Sequence, residues 1–205
     1  MKRIRAAIFA SGTGSNFQAI MEEANLPVEV VLLVCDHPGA AVIERAEQHG
    51  IETLVFQPGA FANKEAYEQT LLDKLQDAGV TWLFLAGYMR IVGTVLLTNY
   101  KERIVNIHPS LLPDFPGKDA IGKVFRAGVE TTGVTVHFVD EGIDTGPIIA
   151  QQEVPVLPED TLETLTERVQ HAERRLYPAV IRQLLEQDER KLDNHKTADH
   201  YSRQF

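Results

Sequence analysis

The chain has 205 residues, with 20 Lys+Arg against 29 Asp+Glu for a formal net charge of −9, and it is 44% hydrophobic and 24% charged. That balance is ordinary for a globular, core-burying domain and argues against a nucleic-acid coat or a disordered chain. The longest strongly apolar run, Val30 to Cys35, is far short of the ~18 residues of a membrane helix, and Cys35 as the single cysteine excludes an intrachain disulfide and a thiolate metal site.

Short aliphatic runs alternate with amphipathic stretches, the pattern of βαβ units and a mainly parallel sheet. Ile4 to Ala10 is expected as the first strand, followed by the turn Ser11-Gly-Thr-Gly-Ser-Asn16 and a helix over Phe17 to Ala24. Val28 to Cys35 is nearly continuous in apolar residues, as suits a strand buried on both faces, and Ala40 to His49 is its return helix, stopped at Gly50. Thr53 to Phe56 is a third strand, and Asn63 caps a helix reaching Ala78 with Ala66, Leu71, Leu72 and Leu75 at helical spacing. Trp82 to Ala86 is a fourth strand, Gly93 to Tyr100 a short helix and Ile104 to Ile107 a fifth strand. Pro109, Pro113 and Pro116 then forbid regular helix and force an exposed connection. A helix over Asp119 to Ala127 precedes two strands, Gly133 to Val139 and Ile148 to Val156, joined closely enough to be antiparallel. Leu162 to Gln187 is the longest helix, with Leu165, Val169, Ala172, Leu176, Val180 and Leu184 on one face and a kink expected at Pro178. Asn194 to Phe205 is polar and expected to be loosely packed. The fold expected is a single α/β domain over 1–192, Rossmann-like, its twisted sheet mostly parallel with helices on both faces and an antiparallel strand near the C-terminal half, followed by a tail over 193–205.

Two places carry chemistry. The glycine-rich turn between a strand and a helix presents backbone N–H groups and a helix N-terminus to an anion. Gly12-x-Gly14 with Asp36 could form a dinucleotide fingerprint, but the third glycine position is Phe17, and the Ser, Thr and Asn side chains suit one terminal phosphate. A plain βα turn capped by Ser15 or Asn16 is the alternative. Asn106 and His108, two apart on a strand, point the same way at the sheet's carboxyl end, and Asp144 lies in the next polar loop. An amide, an imidazole and a carboxylate together can polarise a carbonyl and move a proton; the alternative is a strand end and a stabilised turn. The seven histidines show no His-x-x-x-His spacing, so no metal is expected.

Asn106-Ile-His-Pro-Ser-Leu-Leu-Pro113, Gly-Val-Thr-Val-His-Phe-Val over 133–139, and Asp144-x-Gly-Pro147 resemble the folate-dependent formyltransferases. The glycine turn, Gly87-Tyr-Met-Arg-Ile91 and Glu173-x-x-x-Tyr177-Pro narrow the resemblance to the branch that formylates phosphoribosylglycinamide, over residues 4 to 192. It implies direct transfer from 10-formyltetrahydrofolate to the glycinamide amine, without metal or covalent enzyme intermediate. It also implies that Gly12, Thr13, Gly14, Ser15 and Asn16 hold the substrate phosphate and that Glu173 binds the ribose or its neighbours. Met89, Arg90, Ile91 and Val92 would line the pterin site, completed by Asp140, Glu141 and Asp144, while Arg90 and Lys64 would reach the folate glutamate. Asn106 and a protonated His108 would donate to the oxyanion, and Asp144 would favour the imidazolium and assist the proton's transfer to the folate nitrogen. His137 is expected to point into the strand pair near this site as a satisfied core histidine rather than a catalytic one, and no role is carried onto Gly117 to Gly122, where the sequence departs from the family pattern. The expected protein is cytoplasmic, a monomer or homodimer acting on small molecules without nucleic acid or membrane. The rival readings are a formyltetrahydrofolate hydrolase, which would carry an extra N-terminal domain, and a nicotinamide-dinucleotide-binding protein.

Overall fold

A computed structural model describes the backbone of residues 4–202 and the side chains of 4–188 and 190. Five strands run parallel in the order β3-β2-β1-β4-β5: β1 (Ile4–Ala10), β2 (Val28–Cys35), β3 (Glu52–Val55), β4 (Trp82–Leu85) and β5 (Ile104–His108). Beyond β5 lie β6 (Thr131–Phe138), antiparallel to both neighbours, and then β7 (Ile148–Pro155) at the edge. The expected α/β sheet with one antiparallel strand is present.

Side-chain alternation decides what each face holds. Ile4, Ala6, Ile8 and Ala10 of β1, with Leu33, Phe84 and Val105, pack under α1 (Ser15–Glu22), α2 (Ala41–Gln48) and the long α6 (Leu162–Ser202). Ala7 and Phe9, with Leu32, Val34, Leu83 and Ile104, pack under α3 (Lys64–Asp77) and α4 (Thr94–Asn99). A third cluster joins α5 (Ala120–Ala127), β6, β7 and the first turns of α6 through Val124, Val134, Val154, Leu165 and Val169.

Several boundaries differ from expectation for identifiable reasons. Gly14 adopts φ +77°, which ends the turn and lets α1 begin at Ser15 rather than Phe17. Pairing with β5 and β7 draws β6 back to Thr131 and extends β5 to His108. Asn63 caps α3 as expected, accepting the Ala66 N–H at 2.9 Å, but the buried face also includes Tyr67 and Glu68. The proline-rich connection is not simply exposed. Ser110 and Leu112 are buried, and Thr135 Oγ1 donates to the Ser110 carbonyl while accepting the Leu112 N–H.

α6 runs unbroken through Pro178 and past residue 192. Leu165, Val169, Ala172 and Val180 are buried as expected, but Tyr177, Ile181 and Leu185 are buried as well, while Leu176 and Leu184 are only half-buried. The Tyr177 hydroxyl lies 2.9 Å from both the Leu85 and Val105 carbonyls, tying the helix to β4 and β5. Asp188 accepts from Trp82 Nε1 and Arg103, fixing the next turns of the helix. From Asn194 the backbone continues as helix to Ser202; the packing expected of the tail lies outside the described residues.

Candidate active site

Strand order reverses between β1 and β4, and ligand crevices of open α/β sheets lie outside the carboxyl ends of the strands at such a point. Next to it, beyond β4, β5 and β6, a cavity of about 410 Å³ opens, lined among others by Leu85, Met89, Arg90, Asn106, His108, His137 and Asp144. Three exposed apolar side chains, Met89, Ile91 and Ile143, stand on its rim, as a site for a planar apolar ring requires.

β-pairing assembles the polar end. Asn106 and His108 alternate with Val105 and Ile107, so they leave the sheet on the α3/α4 face, and antiparallel register places His137 opposite Asn106. His137 therefore lines the cavity, and at 2% exposed it is also buried as expected of a core histidine near the site. Its Nδ1 lies 2.7 Å from the Phe138 carbonyl and its Nε2 3.2 Å from Asn106 Nδ2. The ring meets only one of the two Asn106 Nδ2 hydrogens, so a second N–H remains for a ligand. His108 Nε2 sits 2.9 Å from the Phe115 carbonyl, and its Nδ1 faces Asp144 Oδ2 at 3.4 Å. Both ring nitrogens thus face acceptors, and donation to a substrate oxygen requires exchange of the Phe115 carbonyl.

Asp144, at φ +55°, turns its carboxylate into this group. Oδ2 accepts the Gly117 N–H at 2.7 Å, and Oδ1 lies 3.6 Å from His137 Nε2. Burial pushes its carboxyl up, but His137, the Gly117 amide and the facing His108 outweigh that and hold it below the usual carboxylate range. Asn106, His108 and Asp144 are thus brought together with His137. The missed supports are backbone groups, the Phe115 carbonyl and the Gly117 N–H, which residue identity does not announce.

The residues assigned to the folate side divide. Met89, Arg90, Ile91, Val92 and Asp140 line the cavity; Lys64 and Glu141 do not. Arg90 is ion-paired to Asp36 at 2.6 Å. Lys64 instead lies beside Glu68, a carboxylate the sequence reading missed, 2% exposed and accepting the Gly93 N–H at 2.6 Å. Burial raises the Glu68 pKa, against the Gly93 and Leu96 amides and Lys64. It caps α4 and anchors the end of the Met89–Val92 loop. Asp140 shapes its own loop, accepting from the Gly142 N–H and the Thr145 hydroxyl.

On the other side of the switch point, Gly12 to Asn16 turn into α1, whose first turn carries no acidic side chain. α2 braces the turn: Val42 packs on Gly14, and Arg45 Nε donates to the Thr13 carbonyl at 2.8 Å. Asn16 is buried with its Oδ1 unpartnered. Its side chain reaches Glu173 on α6, whose carboxyl is pushed up to about 7 by burial, offset in part by Asn16 and Arg174. Asp36, the candidate ribose ligand of a dinucleotide site, is occupied by the Ser11 hydroxyl and Arg90. No described helix is long and apolar enough to cross a membrane, and among the described residues no group of three or more His, Cys, Asp or Glu is placed to hold a metal.

An anion-ready turn and an Asn/His/Asp cluster flanking one switch-point cavity define a group-transfer site, and residues 4–181 match the sequence profile of the formyl transferase family. The chain belongs to that family. The phosphoribosylglycinamide formyltransferase of Bacillus subtilis is 53% identical over 182 residues, 87% of this chain and 93% of that protein. The trifunctional purine biosynthetic protein adenosine-3 of Drosophila melanogaster is 41% identical over 90% of this chain, which matches 14% of that longer protein. Among solved structures, glycinamide ribonucleotide transformylase 1 from Geobacillus kaustophilus superposes with a TM-score of 0.87 at 54% identity, covering 89% of this chain and 99% of that one.

Proposed function

We propose that the protein transfers the formyl group of 10-formyltetrahydrofolate to the amine of 5-phosphoribosylglycinamide, a step of purine biosynthesis. The observation that carries this reading is the cavity with the folate-side loop Met89–Val92 on one wall and Asn106, His108, His137 and Asp144 at its polar end. The phosphate turn leaves the sheet beside it, at the next strand. The buried, unpartnered Asn16 Oδ1 beside the Glu173 carboxyl suits ribose hydroxyls, which are donors.

The glycinamide nitrogen attacks the formyl carbon, forming a C–N bond as the carbonyl pair moves onto oxygen. Asn106 donates its free N–H to that oxygen, and His108 supplies the positive charge that a developing oxyanion favours. On collapse the bond to the folate N10 breaks, its electron pair stays on N10, and the proton lost by the amine reaches N10 with Asp144 as acceptor and donor, directly or through water. Water exclusion falls to the apolar rim of Met89, Ile91 and Ile143, which a bound ring covers.

The test is loss of 10-formyltetrahydrofolate, followed spectroscopically with and without glycinamide ribonucleotide. Turnover that depends on the ribonucleotide is expected; equal turnover without it would make the protein a hydrolase and overturn the reading.

A further inference from the structure

The phosphate turn and the folate-side loop leave the sheet on either side of the switch point, from β1 and β4, and one side chain joins them. Ser11, at the foot of the turn, donates its backbone N–H to the Gly87 carbonyl at 3.0 Å. Its hydroxyl accepts the Met89 N–H at 2.9 Å and donates to Asp36 Oδ1 at 2.5 Å. The other Asp36 oxygen takes Arg90 Nε at 2.6 Å. A single hydroxyl is therefore the hub that fixes Met89 directly and Arg90 through a buried carboxylate.

The loop needs such a hub. Met89 is 65% and Ile91 53% exposed, so burial of these side chains does not set the loop's course, and Gly87 at φ +79° adds no side chain to hold it. Glu68 secures the far end at Gly93; the near end depends on Ser11. Asp36, 8% exposed, is kept there by its two partners, since a buried carboxylate without them is unfavourable.

We propose that Ser11 is a positioning residue for the folate side of the reaction, acting from the phosphate side. Through the Met89 N–H and the Asp36–Arg90 pair it holds the Met89–Val92 loop in the geometry that receives the pterin. This rests on the function proposed above. Ser11 itself does not line the cavity, so its effect on folate is transmitted through the loop.

The experiment is calorimetric titration of a non-reacting 5,8-dideazafolate without ribonucleotide, paired with steady-state kinetics on the full chain. Loss of a hydroxyl that serves a charged group and a backbone N–H should raise the folate Kd and KM about ten-fold in Ser11→Ala. Chemistry is untouched, so kcat at saturating folate should change less than about three-fold. Ser11→Thr keeps the hydroxyl and should bind like the wild type, and hydrogen exchange at the Met89 amide should quicken in Ser11→Ala alone. A folded Ser11→Ala with unchanged folate Kd, or a Ser11→Thr as weak as Ser11→Ala, overturns the proposal. If Ser11→Ala does not fold, Ser11→Cys, close in volume but a poor hydrogen-bonding group, takes its place with the same expected loss and the same refuting result. Absence of ribonucleotide-dependent transfer by the wild type refutes the functional reading, whereas normal wild-type transfer with an indifferent Ser11 variant refutes only this inference.

Discussion

Glu173 offers a prediction in which stability and binding move with one proton. Its carboxyl, 9% exposed, is raised from the usual 4.5 to about 7 by burial against Asn16 and Arg174. Below pH 4.5 the folded and unfolded chains both carry the proton, and the contribution to stability is fully present. Above it the unfolded chain ionises freely while the folded one does not, so stability is lost until the folded group also ionises near pH 7. At about 1.36 kcal/mol per pKa unit, the gap corresponds to about 3 kcal/mol. Glu173→Gln removes the titration while keeping the shape. Urea unfolding of both proteins from pH 4.5 to about pH 8 should show the wild-type stability falling by about 3 kcal/mol relative to the variant. Ribonucleotide affinity should drop in the variant at pH 8, with folate affinity unchanged. Parallel stability curves across that range would refute the reasoning, because a buried carboxyl with a raised pKa cannot leave its linkage unexpressed.

Asn106→Ala and His108→Ala should each lower kcat by about 10²–10³, the usual effect of losing one oxyanion stabiliser, while calorimetry still detects both substrates. Asp144→Asn keeps the Gly117 hydrogen bond but removes the charge facing both histidines; combined with His108→Ala it should be little worse than the poorer single variant, and multiplicative losses would separate the two roles. Because the Asp144 carboxyl is held below the usual range, its contribution to stability is present at neutral pH and lost as pH falls through the folded value. Asp144→Asn should therefore flatten that part of the acid unfolding curve. Gly93→Ala would bring a methyl within 2.6 Å of Glu68 Oε2 and 2.7 Å of Lys64 Cε, displacing the α4 cap; a raised folate KM together with a lowered Tm is expected. Gly14→Ala combines a left-handed φ of +77° with a methyl 2.7 Å from Val42 Cγ2, and a loss of about 1–3 kcal/mol should appear in urea unfolding.

The alternation of strands and helices, the sheet's parallel character and the polar residues Asn106, His108 and Asp144 were legible because each is written locally: period-two and helical apolar spacing, glycines at turns, prolines after His108. The Asn106–His108 pair needed only strand geometry to be placed on one face. His137 is expected near the site as a satisfied core histidine and is buried with both ring nitrogens partnered, but the register that sets it opposite Asn106 is a property of two strands far apart in the chain. Along α6 the expected Leu165, Val169, Ala172 and Val180 are buried, but Tyr177, Ile181 and Leu185 take the places expected for Leu176 and Leu184, since the partners along the sheet decide which stripe is buried.

By itself the sequence determined the fold class, the glycine-rich turn between a strand and a helix, and the chemical types at the sheet's carboxyl end, because propensity and periodicity act between residues a few positions apart. Only the tertiary structure decided the pairings: Arg90 with Asp36, Glu68 with Gly93, His108 with Phe115 and Asp144, Ser11 with Met89. Those bonds run between segments that meet through the strand order and helix packing, and a donor or acceptor carries no mark in sequence of the partner that folding will bring to it.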